Sequence, residues 1–353
     1  MAISAQDVKK LRELTGAGML DCKKALEEKN GNIDEAVDYL RQKGLGKAAK
    51  KSDRLAGEGL IALKMLDNKK AVLVEINSET DFVAKNENFV NLTKKVASHI
   101  FDNNVEFDKI NETIIDGQKF EEYLHSQIAV IGENIVVRRG ATLEASDNGL
   151  VCGYVHFNGR VGAIVHAECD SKETAQKAKD LIQNICMHIS AMSPKYLAYT
   201  DLDKDWVEKE FLAFKADIEK ENEERERMGK NLKNVPEYGS MLQITDDVIK
   251  NVENKFRDEL LAQGKPEKIL PNIIPGMVKR YIKDNTLIDQ QYALFSQDFV
   301  LDSEKTVEQV IAEKAKEIGG TIEIKKYVRL EVGEGIEKKE EDFAAEVAKQ
   351  IGQ

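Results

Sequence analysis

Six cysteine and histidine residues between positions 152 and 188 are the nearest thing to a metal cluster in the sequence, because thiolate and imidazole bind zinc and also form nucleophilic pairs. They are Cys152, His156, His166, Cys169, Cys186 and His188. Their spacing does not put them on one face. His166 and Cys169 point to opposite faces of a strand, and Cys186 and His188 lie about 200° apart on a helix. Small core thiols and scattered histidines are the favoured interpretation. A metal-dependent enzyme remains a third hypothesis, which zinc analysis of the purified protein would test.

Other motifs for catalysis or nucleotide binding are missing from the sequence. GLGK at Gly44–Lys47 has Arg41 where a phosphate-binding loop needs its first glycine, and no HExxH, GxSxG or GxGxxG occurs. The chain has 63 carboxylates, so no acid pair stands out as a general acid and base. We therefore expect no cofactor, no nucleotide or metal of its own, and no enzyme in the chemical sense.

The segment SETDFVAKNENF, residues 78–89, connects a strand-like run to a helix-like run. Connecting segments are usually polar and lie on the surface, yet this one carries Phe82 and Val83. Periodicity alone favours a core anchor for Phe82, a helix or turn cap for Asp81 and a solvated side chain for Lys85. The alternative is a hydrophobic wedge that is offered to a partner.

Composition limits the classes of partner. The 353 residues suggest two or three domains, and the formal net charge of −11 predicts a poor general nucleic-acid binder. The basic stretch Gly46–Arg54 is short and has the composition of a linker. Four cysteines without a CxxC pair are typical of a reducing compartment. No apolar run approaches the roughly 18 residues that span a bilayer, and Met1–Lys10 has a capping box instead of a signal peptide's apolar core. These features predict a cytoplasmic protein that binds neither membranes nor nucleic acid directly.

The patterning predicts an α+β fold. Residues 1–43 form three short helices, and residues 44–57 a linker. Residues 58–140 and 141–200 each follow the plan strand, strand, helix, with hairpin turns at Asp67–Lys70 and Asn158–Gly159, which indicates an internal duplication of the core.

The second part of the chain carries a long helical segment. Residues 201–265 predict an antiparallel helical hairpin inserted in the core, a projecting arm whose tip near 231–240 is too polar for a core. Residues 266–330 complete the second half of the core, and residues 331–353 form a C-terminal helical module.

Three segments carry a family resemblance. They are LRELTGAGMLDCKKALEEKNGNIDEAVDYLR (11–41), TDFVAKN (80–86) and VRLEVGEGIEKKEEDFAAEV (328–347). Together with MHISAMSPKYL (187–197) and LLAQGKPEKI (260–269), they resemble the bacterial translation elongation factor Ts family in the expected order. Members of that family are guanine-nucleotide exchange factors for elongation factor Tu, a GTPase. The resemblance implies the same partner and an action by binding, without bond chemistry.

The resemblance also implies roles for five residues. The stretch Thr80, Asp81, Phe82 and Val83 would enter the partner. Phe82 would wedge near its magnesium site, and Asp81 would disturb the network that holds the ion. His156, in GYVHFNGRVG, would contact a distal domain of the partner. The three N-terminal helices would resemble a ubiquitin-associated-type domain that docks on the GTPase domain.

Two further expectations can be tested. If the protein is instead a non-catalytic cytosolic scaffold, Phe82→Ala leaves its function intact. The helical hairpin is longer than in compact members of the family. We therefore expect deletion of Lys215–Asn254 to leave a folded core with most of the exchange activity.

Overall fold

The computed structural model describes residues 3–337. Helices and small antiparallel sheets are both present, so the predicted α+β class is confirmed. Two compact units divide the described chain: one contains the residues up to Ser190 together with those from Glu323 onward, and the other is Ala191–Ile322. The C-terminal helix predicted near 338–351 lies outside the described residues.

Three helices open the chain: α1 (Ala5–Thr15), α2 (Met19–Glu28) and α3 (Ile33–Ala49). The third helix extends to Ala49, although the sequence predicted a linker from residue 44. Packing explains the difference, because Ala48 is buried in the core of the following sheet region. A Cβ on Gly44 would lie 3.3 Å from Ala129 Cβ, so this glycine permits a close approach of two elements and is not a hinge.

The first sheet region follows. Its elements are β1 (Glu58–Leu66), β2 (Lys70–Ser78), α4 (Asp81–Ala84), α5 (Glu87–Asp102), β3 (Ile114–Ile115), β4 (Gln118–Lys119), α6 (Phe120–Ile131) and β5 (Val136–Glu144). The sheet has the order β1-β2-β5, and both pairs are antiparallel. The predicted boundary at residue 140 falls inside β5, which pairs with β2 up to Glu144.

The second sheet region begins with β6 (Leu150–Val155), β7 (Val161–Cys169) and α7 (Lys172–Met192). The hairpin between β6 and β7 turns at the predicted Asn-Gly pair, where Gly159 has a φ of +70°. One face of α7, including Ile182, Ile185 and Ile189, is buried.

The unit Ala191–Ile322 is mainly helical. Its elements are α8 (Lys204–Arg227), α9 (Asp246–Ala262), α10 (Leu270–Asp284), α11 (Leu287–Tyr292), β8 (Asp298–Phe299), β9 (Asp302–Thr306) and α12 (Val307–Ile318). The chain then returns to the first unit as β10 (Ile322–Glu331), which joins the second sheet in the order β10-β7-β6. Each hairpin therefore gains a third strand that is distant in sequence.

The predicted pairing of the two long helices is wrong. The apolar face of α9 packs against α10, where Val252 and Leu260 share a cluster with Leu270 and Val278. The apolar face of α8 packs instead in a cluster that contains Ile288. Periodicity identified both apolar faces, but it does not say which helix covers them.

The predicted polar tip is also only partly exposed. Residues 229–234 are exposed, whereas Ser240 is fully buried. The side-chain oxygen of Asn285 accepts hydrogen bonds from the N–H groups of Glu237 (2.6 Å) and Tyr238 (3.2 Å), and Asp289 Oδ2 accepts one from Met241 N–H (2.7 Å). The second half of this segment is therefore part of the packed unit and not the end of an arm.

Candidate functional site

The segment after β2 forms one turn of helix that holds Phe82 in solvent. Thr80 is the N-cap of α4, and its Oγ1 accepts a hydrogen bond from Val83 N–H at 3.4 Å. Val83 is half-buried against the core, and Ala84 is buried. The side chain of Phe82 is 80% exposed. The core anchor that periodicity favoured for Phe82 is therefore wrong, because Val83 and Ala84 make the core contacts of this turn.

Asp81 and Lys85 form an ion pair across the same turn. Lys85 Nζ donates to Asp81 Oδ2 at 2.7 Å, and both side chains are exposed. This hydrogen bond holds the pKa of the Asp81 carboxyl below its ordinary value. The capping role predicted for Asp81 belongs to Thr80. What Asp81 contributes is an exposed negative charge beside an exposed aromatic ring.

His156 lies in another part of the unit, in the turn between β6 and β7. Its Nδ1 is 2.9 Å from the hydroxyl oxygen of Tyr154, and its ring centroid is 4.4 Å from that of Phe157. The turn rests on β1, because Gly159 O accepts a hydrogen bond from Ile61 N–H at 2.7 Å. His156 follows β6 of the second sheet, whereas Thr80–Val83 follow β2 of the first sheet.

Phe157 is a candidate that the sequence analysis missed. Its side chain is 92% exposed, at the tip of a hairpin that packs through its strands. The signal was available in the sequence, since the Asn-Gly pair places Phe157 at a hairpin turn, and connecting segments usually lie on the surface. Exposed Phe157 and half-buried His156 together form an aromatic tip on a well-anchored turn.

A third apolar surface lies on the N-terminal helices. Leu14 is 62%, Met19 50% and Leu20 75% exposed, on either side of the break between α1 and α2. Solvent exposure of three large apolar side chains in so short a stretch is typical of a docking surface. The sequence predicted no docking role for any of these three residues.

The cysteines and histidines singled out by type do not form a site in residues 3–337. No group of three or more His, Cys, Asp or Glu side chains in that range is placed to hold a metal ion. Burial raises the pKa of both the Cys152 and the Cys169 thiols to about 11, so these groups are poor nucleophiles at neutral pH. Cys186 is fully buried, and burial raises its pKa well above its ordinary value. No helix in this range is both long and apolar enough to cross a membrane.

Comparison with known proteins identifies the family. The sequence model described as Elongation factor TS matches residues 79–334, a range that begins directly after β2 and includes α4, β5 and the whole of the second sheet, but neither β1 nor β2. The chain belongs to the elongation factor Ts family. The match to TDFVAKN and to VRLEVGEGIEKKEEDFAAEV had already suggested this family.

Individual relatives cover the whole chain. The elongation factor Ts of Campylobacter curvus is 56% identical over 354 residues, which is 100% of both chains. The protein of the same name from Helicobacter pylori (strain ATCC 700392 / 26695) is 52% identical over 351 residues, 99% of both chains. The long segment between α8 and α10 therefore falls within alignments that span these relatives from end to end.

Proposed function

We propose that this protein is a guanine-nucleotide exchange factor in translation elongation, and that it acts on elongation factor Tu in the cytoplasm. Family membership supports the class of activity. The observation that carries the mechanism is the 80% exposure of Phe82 on a turn capped by Thr80. An apolar ring held in solvent by a folded turn has its binding surface already formed.

Phe82 acts as the wedge. Magnesium bridges the phosphates of a bound nucleotide and neutralises their charge, so an intrusion beside the ion weakens GDP binding without contact to the base. Burying a phenylalanine side chain contributes about 1.5–3 kcal/mol. Each tenfold change in affinity corresponds to about 1.4 kcal/mol, so this one ring can supply one to two orders of magnitude.

Asp81 brings a negative charge to the same place. Its low pKa keeps the carboxylate ionised at neutral pH. Lys85 must release this carboxylate for it to act on the magnesium ligands. Because the ion pair is exposed, water screens it and separating the two groups costs little free energy.

Binding at several points holds the wedge in place. The three N-terminal helices form a ubiquitin-associated-type domain that docks through Leu14, Met19 and Leu20. The turn with His156 and Phe157 contacts a distal domain of the partner. Because these surfaces are separate from Phe82, they can maintain the complex while the binding energy of Phe82 weakens the binding of GDP. Linkage requires that GDP weaken binding of this protein by the factor by which this protein weakens GDP.

The action involves no cofactor, metal or nucleotide of the protein's own and no bond chemistry. Release of GDP is followed by binding of GTP from the cellular pool, which expels the factor. The net charge of −11 supports a protein partner over nucleic acid, and we propose no contact with membranes.

Release of a fluorescent GDP analogue from elongation factor Tu tests the proposal. A substoichiometric amount of this protein is expected to release all of the analogue in the presence of excess GDP. If the protein binds elongation factor Tu but does not accelerate release of the analogue, the non-catalytic scaffold is the better interpretation. Asp81→Asn should slow release at millimolar magnesium and should lose that deficit when EDTA removes the ion. A deficit that persists in EDTA would exclude action through magnesium.

A further inference from the structure

We propose that Glu133 is a positioning residue for Phe82: its carboxylate holds the cap of α4 and thereby fixes the direction in which the ring is presented. This inference rests on the proposed exchange function and adds to it a residue that lies outside the Thr80–Val83 stretch.

Both carboxylate oxygens of Glu133 bind one residue. Oε2 accepts a hydrogen bond from Thr80 N–H at 3.0 Å, and Oε1 accepts one from the Thr80 hydroxyl at 2.6 Å. The same hydroxyl oxygen accepts from Val83 N–H at 3.4 Å. Glu133 therefore fixes both the backbone and the rotamer of the N-cap residue, and the cap in turn orders the turn that carries Phe82.

The neighbouring residues exchange a second set of hydrogen bonds. Asn134 N–H donates to Glu79 Oε1 at 2.6 Å, and Arg54 donates to Glu79 Oε2 at 3.3 Å. Thr80 thus donates hydrogen bonds to Glu133, and Asn134 donates one back to Glu79. Charged acceptors make such hydrogen bonds stronger than neutral ones.

The loop that carries Glu133 is itself anchored. Asn134 is buried, and its side chain donates to the carbonyl oxygens of Ser52 (3.3 Å) and Arg54 (2.8 Å). Lys51 donates to the carbonyl oxygen of Gly132. The hydrogen bonds between residues 79–80 and 133–134, which we call the clamp, therefore connect α4 to the segment that follows α3. This connection gives Glu133 a fixed support.

The wedge needs this support because its own turn is too small to be rigid. α4 has four residues, and a single helical turn is not stable by itself. Phe82, at 80% exposure, has little packing of its own to hold its direction. Without the clamp, part of the binding energy of Phe82 would be used to order the turn, as in any flexible binding loop.

The first test needs no partner. In the free protein, Glu133→Ala is expected to raise amide hydrogen exchange at Val83, Ala84 and Lys85 by about tenfold or more, because loss of the cap frees the turn. Glu133→Gln retains one acceptor oxygen and should fall between Glu133→Ala and the wild type. The control is Glu121→Gln, which neutralises an exposed carboxylate in the first turn of α6. Exchange at these three amides equal to that of the control would overturn the proposal.

The second test separates positioning from folding. At saturating factor, Glu133→Ala should slow GDP release from elongation factor Tu by about tenfold, with a smaller change in the concentration for half-maximal rate, because the other docking surfaces remain. A purely structural role would lower the thermal midpoint and leave the saturated rate unchanged, which would overturn the proposal.

A double-mutant cycle completes the experiment. Thr80→Val removes the hydroxyl, so the losses caused by Thr80→Val and Glu133→Ala should be less than additive if the two groups act together. Additive losses would contradict the clamp. Failure of the proposed function has a different signature: Phe82→Ala would leave GDP release unchanged, while the hydrogen-exchange result would still report on Glu133.

Discussion

Phe82 and Phe89 are seven positions apart, yet Phe82 is 80% exposed and Phe89 is fully buried. Phe89 lies in the first turns of α5 and belongs to the core cluster that includes Leu92 and Val96. Asn86 caps α5 and separates it from the turn that holds Phe82. The same residue type therefore stabilises the fold at one position and offers an apolar surface at the other.

Stability measurements should separate these two phenylalanines. Phe89→Ala is expected to lower the free energy of unfolding by about 3–5 kcal/mol, because it leaves a cavity in the core. Phe82→Ala should change it by no more than about 0.5 kcal/mol. Urea denaturation followed by circular dichroism gives both values. A loss above about 2 kcal/mol for Phe82→Ala would show that this ring packs in the folded protein.

Phe157 should contribute to affinity for the partner. Because this side chain is 92% exposed, Phe157→Ala is expected to leave stability unchanged and to weaken binding to nucleotide-free elongation factor Tu by about tenfold or more. Isothermal titration calorimetry measures the affinity. Leu66→Ala, at another exposed hairpin end, is the control. Equal affinities for the two variants would show that Phe157 does not contact the partner.

Glu75 is a fully buried carboxylate that connects the first sheet to the turn after β10. Arg138 donates to it at 3.0 and 3.2 Å, Arg139 donates through Nε, and Gly333 N–H donates at 2.8 Å. Burial alone would raise the pKa of Glu75. The hydrogen bonds from Gly333 and from the two arginines outweigh burial and lower the pKa below its ordinary value of 4.5.

Acid stability should report on this carboxylate. A folded-state pKa below the unfolded value means that the contribution of Glu75 is present above about pH 4.5 and is lost as the pH falls through the folded pKa. Glu75→Gln is expected to cost about 2 kcal/mol at pH 7, less than for a fully buried pair because the arginines retain contact with water. The difference from wild type should shrink at pH 3. A difference that stays constant with pH would contradict this account, and Glu121→Gln is the control.

Deletion of residues 215–254 should disrupt the unit Ala191–Ile322. The deleted stretch contains Ser240 and Val252, which are buried, and its loss would uncover Ile288 and Leu270. This reverses the expectation drawn from sequence, where the segment was interpreted as a removable arm. Limited proteolysis should cut the shortened unit rapidly and should leave the unit built on the two sheets intact. Equal resistance of the two units to the protease would support the interpretation of this segment as a projecting arm.

Local patterns were predictable, and distant partners were not. The Asn-Gly turn at 158–159 and the cap of α12, where Thr306 and Gln309 bind each other's backbone, follow from residues close in sequence. By contrast, β5 and β10 join their hairpins from far along the chain, and α9 packs on α10 instead of α8. A pattern of apolar residues indicates a buried face but does not identify what buries it.

The candidate site shows the same limit. Periodicity placed Phe82 in the core, because exposure of a loop residue depends on which neighbours take the core contacts, here Val83 and Ala84. The family resemblance pointed to the stretch Thr80–Val83 as the part that enters a partner, and that role stays a prediction. Glu133 was not predicted at all, since it lies 53 positions from Thr80 and nothing in its own segment distinguishes it.

The most direct test of the central claim is stopped-flow release of a fluorescent GDP analogue from elongation factor Tu. Wild type, Phe82→Ala and the control Leu66→Ala would be compared after circular dichroism shows that all three are folded. We expect strong acceleration by the wild type and the control, and loss of tenfold or more in the Phe82→Ala variant. Equal acceleration by all three proteins would contradict the assignment of Phe82 as the wedge.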